Sequence, residues 1–136
     1  MPSPTDTPQD QLTPAIVISE YRTGRRDFRG ANLSGANLSG AFLTDIDLTG
    51  ANLTSANLSG ADLANALISR AAMANSVLFN ADLSGAQAVK ADLSGADLRG
   101  AKLAQAGAGS ALLIGAVLSG ADLSLSLIPI SEPTRR

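Results

Sequence analysis

From the segment RGANLSGANLSGAFLTD (29–45) onward, a leucine recurs at every fifth residue, with Ala two positions before it and Ser or Thr just after. The frame holds without a slip from Arg26 to Leu125, 100 residues in 20 units. Its centres are Phe28, Leu33, Leu38, Leu43, Leu48, Leu53, Leu58, Leu63, Ile68, Met73, Leu78, Leu83, Ala88, Leu93, Leu98, Leu103, Ala108, Leu113, Leu118 and Leu123. Residues five apart on an α-helix are separated by about 140°, so these leucines would scatter around the axis. On a strand, residues an odd number apart point to opposite faces, so successive centres would alternate sides. The pattern closes if the chain turns a corner once per unit and every centre points inward, which is a solenoid. Ala at the first position then follows from a narrow interior with room for only a methyl beside each large centre. Gly35, Asp45, Ser55 and Asn65 mark the fifth position, where a corner needs turn-tolerant residues.

The pentads ANLSG, ADLSG and ADLRG resemble the pentapeptide-repeat family over about three quarters of the chain. The stretch EYRTGRRDFRGANLSGANL (20–38) is similar to the start of bacterial, and especially cyanobacterial, arrays. The resemblance implies an all-β fold, a right-handed quadrilateral (square) β-helix solenoid with four pentads per coil and about five coils. One feature of the sequence points independently to four: the stunted centres of AQAVK (Ala88) and AGAGS (Ala108) lie 20 residues apart. At about 4.8 Å per coil the rod would be about 24 Å long. The inward columns then read Leu33, Leu53, Met73, Leu93, Leu113; Leu38, Leu58, Leu78, Leu98, Leu118; Leu43, Leu63, Leu83, Leu103, Leu123; and Phe28, Leu48, Ile68, Ala88, Ala108. The last column thins toward the C-terminus, and packing is expected to weaken there. Leu53→Asp or Leu58→Asp is expected to abolish folding by burying an unpaired charge.

A solenoid exposes unpaired backbone at both ends unless something covers them. Residues 1–12 read as a disordered tail and 13–25 as an N-terminal cap, with 26–125 the repeat and 126–136 a disordered tail. In the cap, Thr13 suits an N-cap, Pro14 a first helical turn and Gly24 a stop. A short helix is predicted, with Ile16, Val17 and Tyr21 covering Phe28; the β-branched run Ile16–Ile18 leaves a short strand as the alternative. At the other end LSLIPISEPTRR (125–136) abandons the motif. It resembles the in-frame translation of a sequencing adapter, Pro129 being its one departure, in which case the natural protein continues past about Ser124. The alternative is a genuine tail whose Leu127 and Ile128 cover the last coil.

With no Cys and no His, the chain lacks thiolate and imidazole chemistry, and with them most familiar catalytic and zinc-binding arrangements. No enzyme activity, metal, cofactor or small-molecule ligand is predicted. The start MPSPTDTPQD has no signal-peptide pattern, and no apolar run reaches the roughly 18 residues of a membrane span, so a cytoplasmic protein without membrane insertion is expected. Asp62 and Asp82, like Asp27 and Asp47, should stack on outer faces, with Asp92 and Asp97 on adjacent sides. Without a positioning network, they read as ordinary water-facing motif residues. Asn32 over Asn52 and Asn37 over Asn57 read as amide ladders.

Some members of the resembled family mimic duplex DNA and bind type II topoisomerases such as DNA gyrase. Here the repeat carries eight Asp against six basic residues, a net of −2. Duplex DNA of about 24 Å carries about 14 charges. Neither a nucleic-acid binder nor, at this length, a strong mimic is indicated. More informative are apolar residues at outward positions: Val77 and Phe79 around one centre, and Leu112, Ile114 and Val117 near the end of the repeat. These are candidates for an interaction patch or for contact with a native cap. The predicted function is a non-enzymatic scaffold or protein-binding module with flat faces, its partner a protein and a homodimer through a terminal coil an option. The alternative is the topoisomerase-directed mimic.

Overall fold

The computed structural model describes residues 7–124. Each pentad is built the same way. Its second residue forms a parallel backbone bridge to the residue twenty positions on, from Asp27↔Asp47 to Lys102↔Asp122. A period of five joined at a spacing of twenty places four pentads in each coil. The first coil is 26–45, and the last begins at residue 106. Three amides per pentad join neighbouring coils: Leu53 N–H donates to Ala72 O at 2.6 Å, Ser55 N–H to Ala74 O at 2.9 Å, and in return Ala72 N–H to Ala51 O at 2.9 Å.

The corner is a turn in which the centre's carbonyl accepts from the N–H three residues later, as in Ala36 N–H to Leu33 O at 3.0 Å. The fifth residue is left-handed throughout, with φ of 60–62° even at Arg70, Lys90 and Gln105. This is the geometry of a type II turn, which favours Gly or Asn at that position. The second residue supports the same corner. All eleven Asn or Asp side chains at that position accept the N–H two residues on, for example Thr54 N–H to Asn52 Oδ1 at 3.1 Å and Ser94 N–H to Asp92 Oδ1 at 3.0 Å. The expected ladders of Asn32 on Asn52 and Asn37 on Asn57 are therefore corrected. Those amides do stack, but among the described residues no hydrogen bond joins them, because each oxygen is engaged by its own turn.

Inside, the centres from Phe28 to Leu118 and nearly all first-position alanines are buried; Leu123 is partly buried against them. Ile46 is the large exception at an alanine position and is fully buried. The equivalent side chain one coil below, Arg26, is exposed and lies over the Tyr21 ring at 3.7 Å from its centroid. Where the column shrinks to Ala88 and Ala108, the interior holds a cavity of about 20 Å3, lined by apolar residues including Ile68, Ala86, Leu93 and Leu103. That is room for one water, but with no polar partner on the walls the cavity is dry. Ser76 occupies another alanine position, and its buried hydroxyl has no partner among the described residues.

Helix α1 (Pro14–Arg22) precedes the repeat. Thr13 Oγ1 accepts from Ile16 N–H at 3.3 Å, and the chain leaves through Gly24 at φ +112°. Val17 is buried, and Ile16, Ile18 and Tyr21 pack against the core. The expectation of a disordered 1–12 segment is corrected for residues 7–12. Gln9–Gln11 form a 3-10 turn, and Leu12 is buried. The Thr7 amide donates to Glu20 Oε1 at 3.0 Å, and its hydroxyl also bonds that carboxylate. Arg25, buried to 6% side-chain exposure, binds Glu20 Oε1 and the Thr7 carbonyl, both at 2.7 Å, and lies 4.5 Å from the centroid of Phe28. Residues 1–6 and 126–136, also expected to be disordered, lie outside the described residues, as do Leu127 and Ile128.

Candidate interaction surface

The outer surface is made by the second and fourth residues of each pentad, on the flat sides, and by the fifth residues, at the corners. On the side carrying Val77 and Phe79, Val77 is half-buried and Phe79 exposed. Val77 bridges Asp97, which in turn bridges Val117, so a charged residue separates the two valines. Arg99 makes a bidentate pair with Asp97, at 2.8 and 2.7 Å, and lies 5.4 Å from the Phe79 ring centroid. Phe79 is thus partly shielded by a cation. Leu112 and Ile114 stand exposed on the neighbouring side of the last coil, Ile114 at 62%, with the half-buried Val117 round the corner. The five residues form two clusters rather than one.

Three further exposed apolar residues, Phe42, Leu67 and Val89, occupy the same outward positions. Phe42 is the most exposed of all, at 78%. Reading AFLTD against the motif, where the second residue should be Asn or Asp, is the signal that finds it. Beside Phe42 an open groove of about 450 Å3 runs between α1 and the first coil, past Ile18, Tyr21, Arg22 and Ala41.

The acidic residues have local partners. Asp27 lies low in pKa because Arg29 binds it at 2.9 and 3.0 Å, and Asp97 is lowered in the same way by Arg99. Asp82 is lowered by hydrogen bonds from Ser84 that outweigh its partial burial. Asp62 and Asp82 stack as bridge partners, but the ladder continues to Lys102 before Asp122, which breaks the negative column. Among the described residues no group of three or more acidic side chains is placed to hold a metal ion, and no helix is long and apolar enough to cross a membrane.

The family model for pentapeptide repeats matches residues 27–63, 56–95 and 91–127, with eight copies. No curated protein matches the chain. Among solved structures, HetL from the cyanobacterium Nostoc sp. strain PCC 7120, a pentapeptide repeat protein involved in heterocyst differentiation regulation, is 33% identical at a TM-score of 0.82. The alignment covers 84% of this chain and 48% of HetL, so the chain spans about half the length of that relative. A second Nostoc pentapeptide repeat protein is 37% identical at a TM-score of 0.71, covering 76% of this chain and 93% of its own. Rfr23 from Cyanothece 51142 is 28% identical at 0.54, covering 82% and 90%. These likenesses carry the architecture of a right-handed quadrilateral β-helix. On its motif, its twenty-residue bridging and these matches, the chain belongs to the pentapeptide-repeat family.

Proposed function

We propose that the chain is a non-enzymatic protein-binding module of the cytoplasm: a rod of about five coils capped by α1, presenting its flat sides to a protein partner. The observation that carries this reading is the placement of Leu112 and Ile114 at second and fourth positions of one exposed pentad. There, motif residues would cost nothing in water and large apolar ones gain nothing without a partner. Beside them, the amides of Leu113, Gly115, Leu118 and Gly120 have no backbone acceptor among the described residues, whereas their counterparts one coil below are all bonded upward. An apolar rim next to an edge without acceptors among the described residues suits self-pairing, so a homodimer through the last coil is part of the proposal. Light scattering over a concentration series tests it. Association of the full chain that is lost in Leu112→Asn/Ile114→Ser supports the dimer, and a monomer at every concentration refutes it.

The net charge of the repeat argues against topoisomerase-directed DNA mimicry at this length. Gyrase supercoiling is accordingly expected to continue at high micromolar protein, and inhibition there would reinstate the mimic.

A further inference from the structure

We propose that the groove between α1 and the first coil is a docking site for an extended acidic segment of a partner protein carrying an aromatic or aliphatic side chain. The inference rests on the reading of the rod as a protein-binding module.

Three independent features converge on this groove. The first is an open backbone edge. In each later coil the second residue's amide donates to the coil below, as Asn57 N–H does to Ala36 O and Asp62 N–H to Ala41 O, both at 2.8 Å. The first coil has no coil beneath it, and the amides of Asn32, Asn37 and Phe42 have no acceptor among the described residues. The N-terminal segment compensates only in part. Arg25 Nε donates to the Asp27 carbonyl at 2.9 Å, and the Tyr21 hydroxyl donates to the Thr44 carbonyl at 2.6 Å. On the side that borders the groove, the Phe42 amide has no acceptor among the described residues, which is what an added strand requires.

The second feature is Phe42 itself. At that position every Asn or Asp holds its own corner by accepting the amide two residues on; phenylalanine forfeits that bond and exposes a ring on the groove wall next to Ile18. The third is charge. Arg25 and Arg29 are paired with Glu20 and Asp27, and Arg26 donates to backbone carbonyls, but Arg22 on the groove has no ion-pair partner among the described residues. The groove's lining carries this one cation and no carboxylate, although residues 7–45 as a whole are neutral, with four arginines against Asp10, Glu20, Asp27 and Asp45. A cation on the groove wall without a carboxylate beside it selects an occupant that brings one. An extended segment would accept the Phe42 amide with a carbonyl, lay an apolar side chain against Phe42 and Ile18, and meet Arg22 with a carboxylate.

The test selects a phage-displayed random peptide library on the full chain with counter-selection on Phe42→Asn. That variant restores the motif and should melt no lower than the parent. The expected winners are acidic peptides with an aromatic or aliphatic residue. Their synthetic forms should lose about tenfold in affinity on Phe42→Asn and on Arg22→Glu, and should weaken with salt. Peptides that bind Phe42→Asn equally well would overturn the groove while leaving the module reading intact. Failure to enrich any sequence would remove both. Two other results would also overturn the proposal, by assigning the groove to a different occupant. Self-association lost on Phe42→Asn would give it to a second copy, and an approximately tenfold gain in peptide affinity on deleting residues 1–6 would give it to the chain's own start.

Discussion

Filling the cavity beside Ala88 should stabilise the rod. The void admits the centre of a water-sized sphere over about 20 Å3, which corresponds to a hole about 6 Å across. Ala88→Leu adds three carbons, about 2.4 kcal/mol at roughly 0.8 kcal/mol per buried methylene. Ordering the new side chain costs about 0.5–1 kcal/mol, leaving a gain of about 1.5 kcal/mol. The opposing effect is overpacking, about 1–3 kcal/mol where no space exists. The frame decides which wins: two coils below, on the same column, Leu48 is buried beside leucines in an identical bridge pattern. Ala91 provides the contrast, since it is equally buried but does not border the cavity.

Urea unfolding followed by circular dichroism should show a higher midpoint for Ala88→Leu at unchanged slope, and a lower one for Ala91→Leu. Equal destabilisation by both substitutions would refute the reasoning, because it would mean that the space beside Ala88 cannot be filled from that side. Amide exchange around residues 83–113 gives a local readout, which matters because a repeat array need not unfold as one unit.

The other predictions concern single groups. Ser76→Ala should raise stability by about 1 kcal/mol in the same unfolding assay, since the buried hydroxyl is desolvated without a partner among the described residues. Lys90→Gly should raise it by about 0.5–1 kcal/mol, because relief of a left-handed backbone at φ +62°, about 1–2 kcal/mol, exceeds the glycine's entropy cost of about 0.5–1 kcal/mol. Glu20 lies below its usual pKa chiefly because the Thr7 hydroxyl bonds it, with Arg25 adding to the effect. A lowered folded-state pKa contributes stability above the unfolded value and loses it as pH falls through the folded one. Melting should therefore decline below the usual carboxylate range, and less steeply in Glu20→Gln.

How far the sequence could be read depended on whether a residue's role repeats. Leu53 and Leu58 are legible because the five-residue frame dictates which side chains face inward, and the gap at Ala88 and Ala108 because a missing large residue in a column leaves a hole. Residues 7–12 were not legible. What orders them is a single pairing of Thr7 with Glu20 and Arg25, which are neighbours only after α1 has formed. The stacked asparagines were placed correctly but given the wrong bond, because stacking is visible in the period whereas the competition for each Oδ1 is local. Phe42 is not legible as a surface feature from sequence alone, because a single aromatic residue in a regular array gains meaning only from its exposure and from the unbonded amide it carries.

In a framework this repetitive, the cost of each departure from the motif ranks the surface. Arg70 and Lys90 are strained corners one coil apart, but each retains the turn's hydrogen bonds to its neighbours. Val77 and Leu112 give up the corner bond that Asn or Asp would make, and Leu112 also exposes apolar area. Phe42 gives up that bond, exposes its ring more fully than any other large apolar residue described, and does so on the first coil, where its amide is unbonded as well. The first two losses are the side chain's own and make stability a poor explanation for its presence; the unbonded amide it shares with Asn32 and Asn37. Phe42→Asn is expected to raise the melting temperature while weakening recognition at the groove. An Asn variant that is less stable than the parent would show that the ring packs on α1 for the sake of the fold.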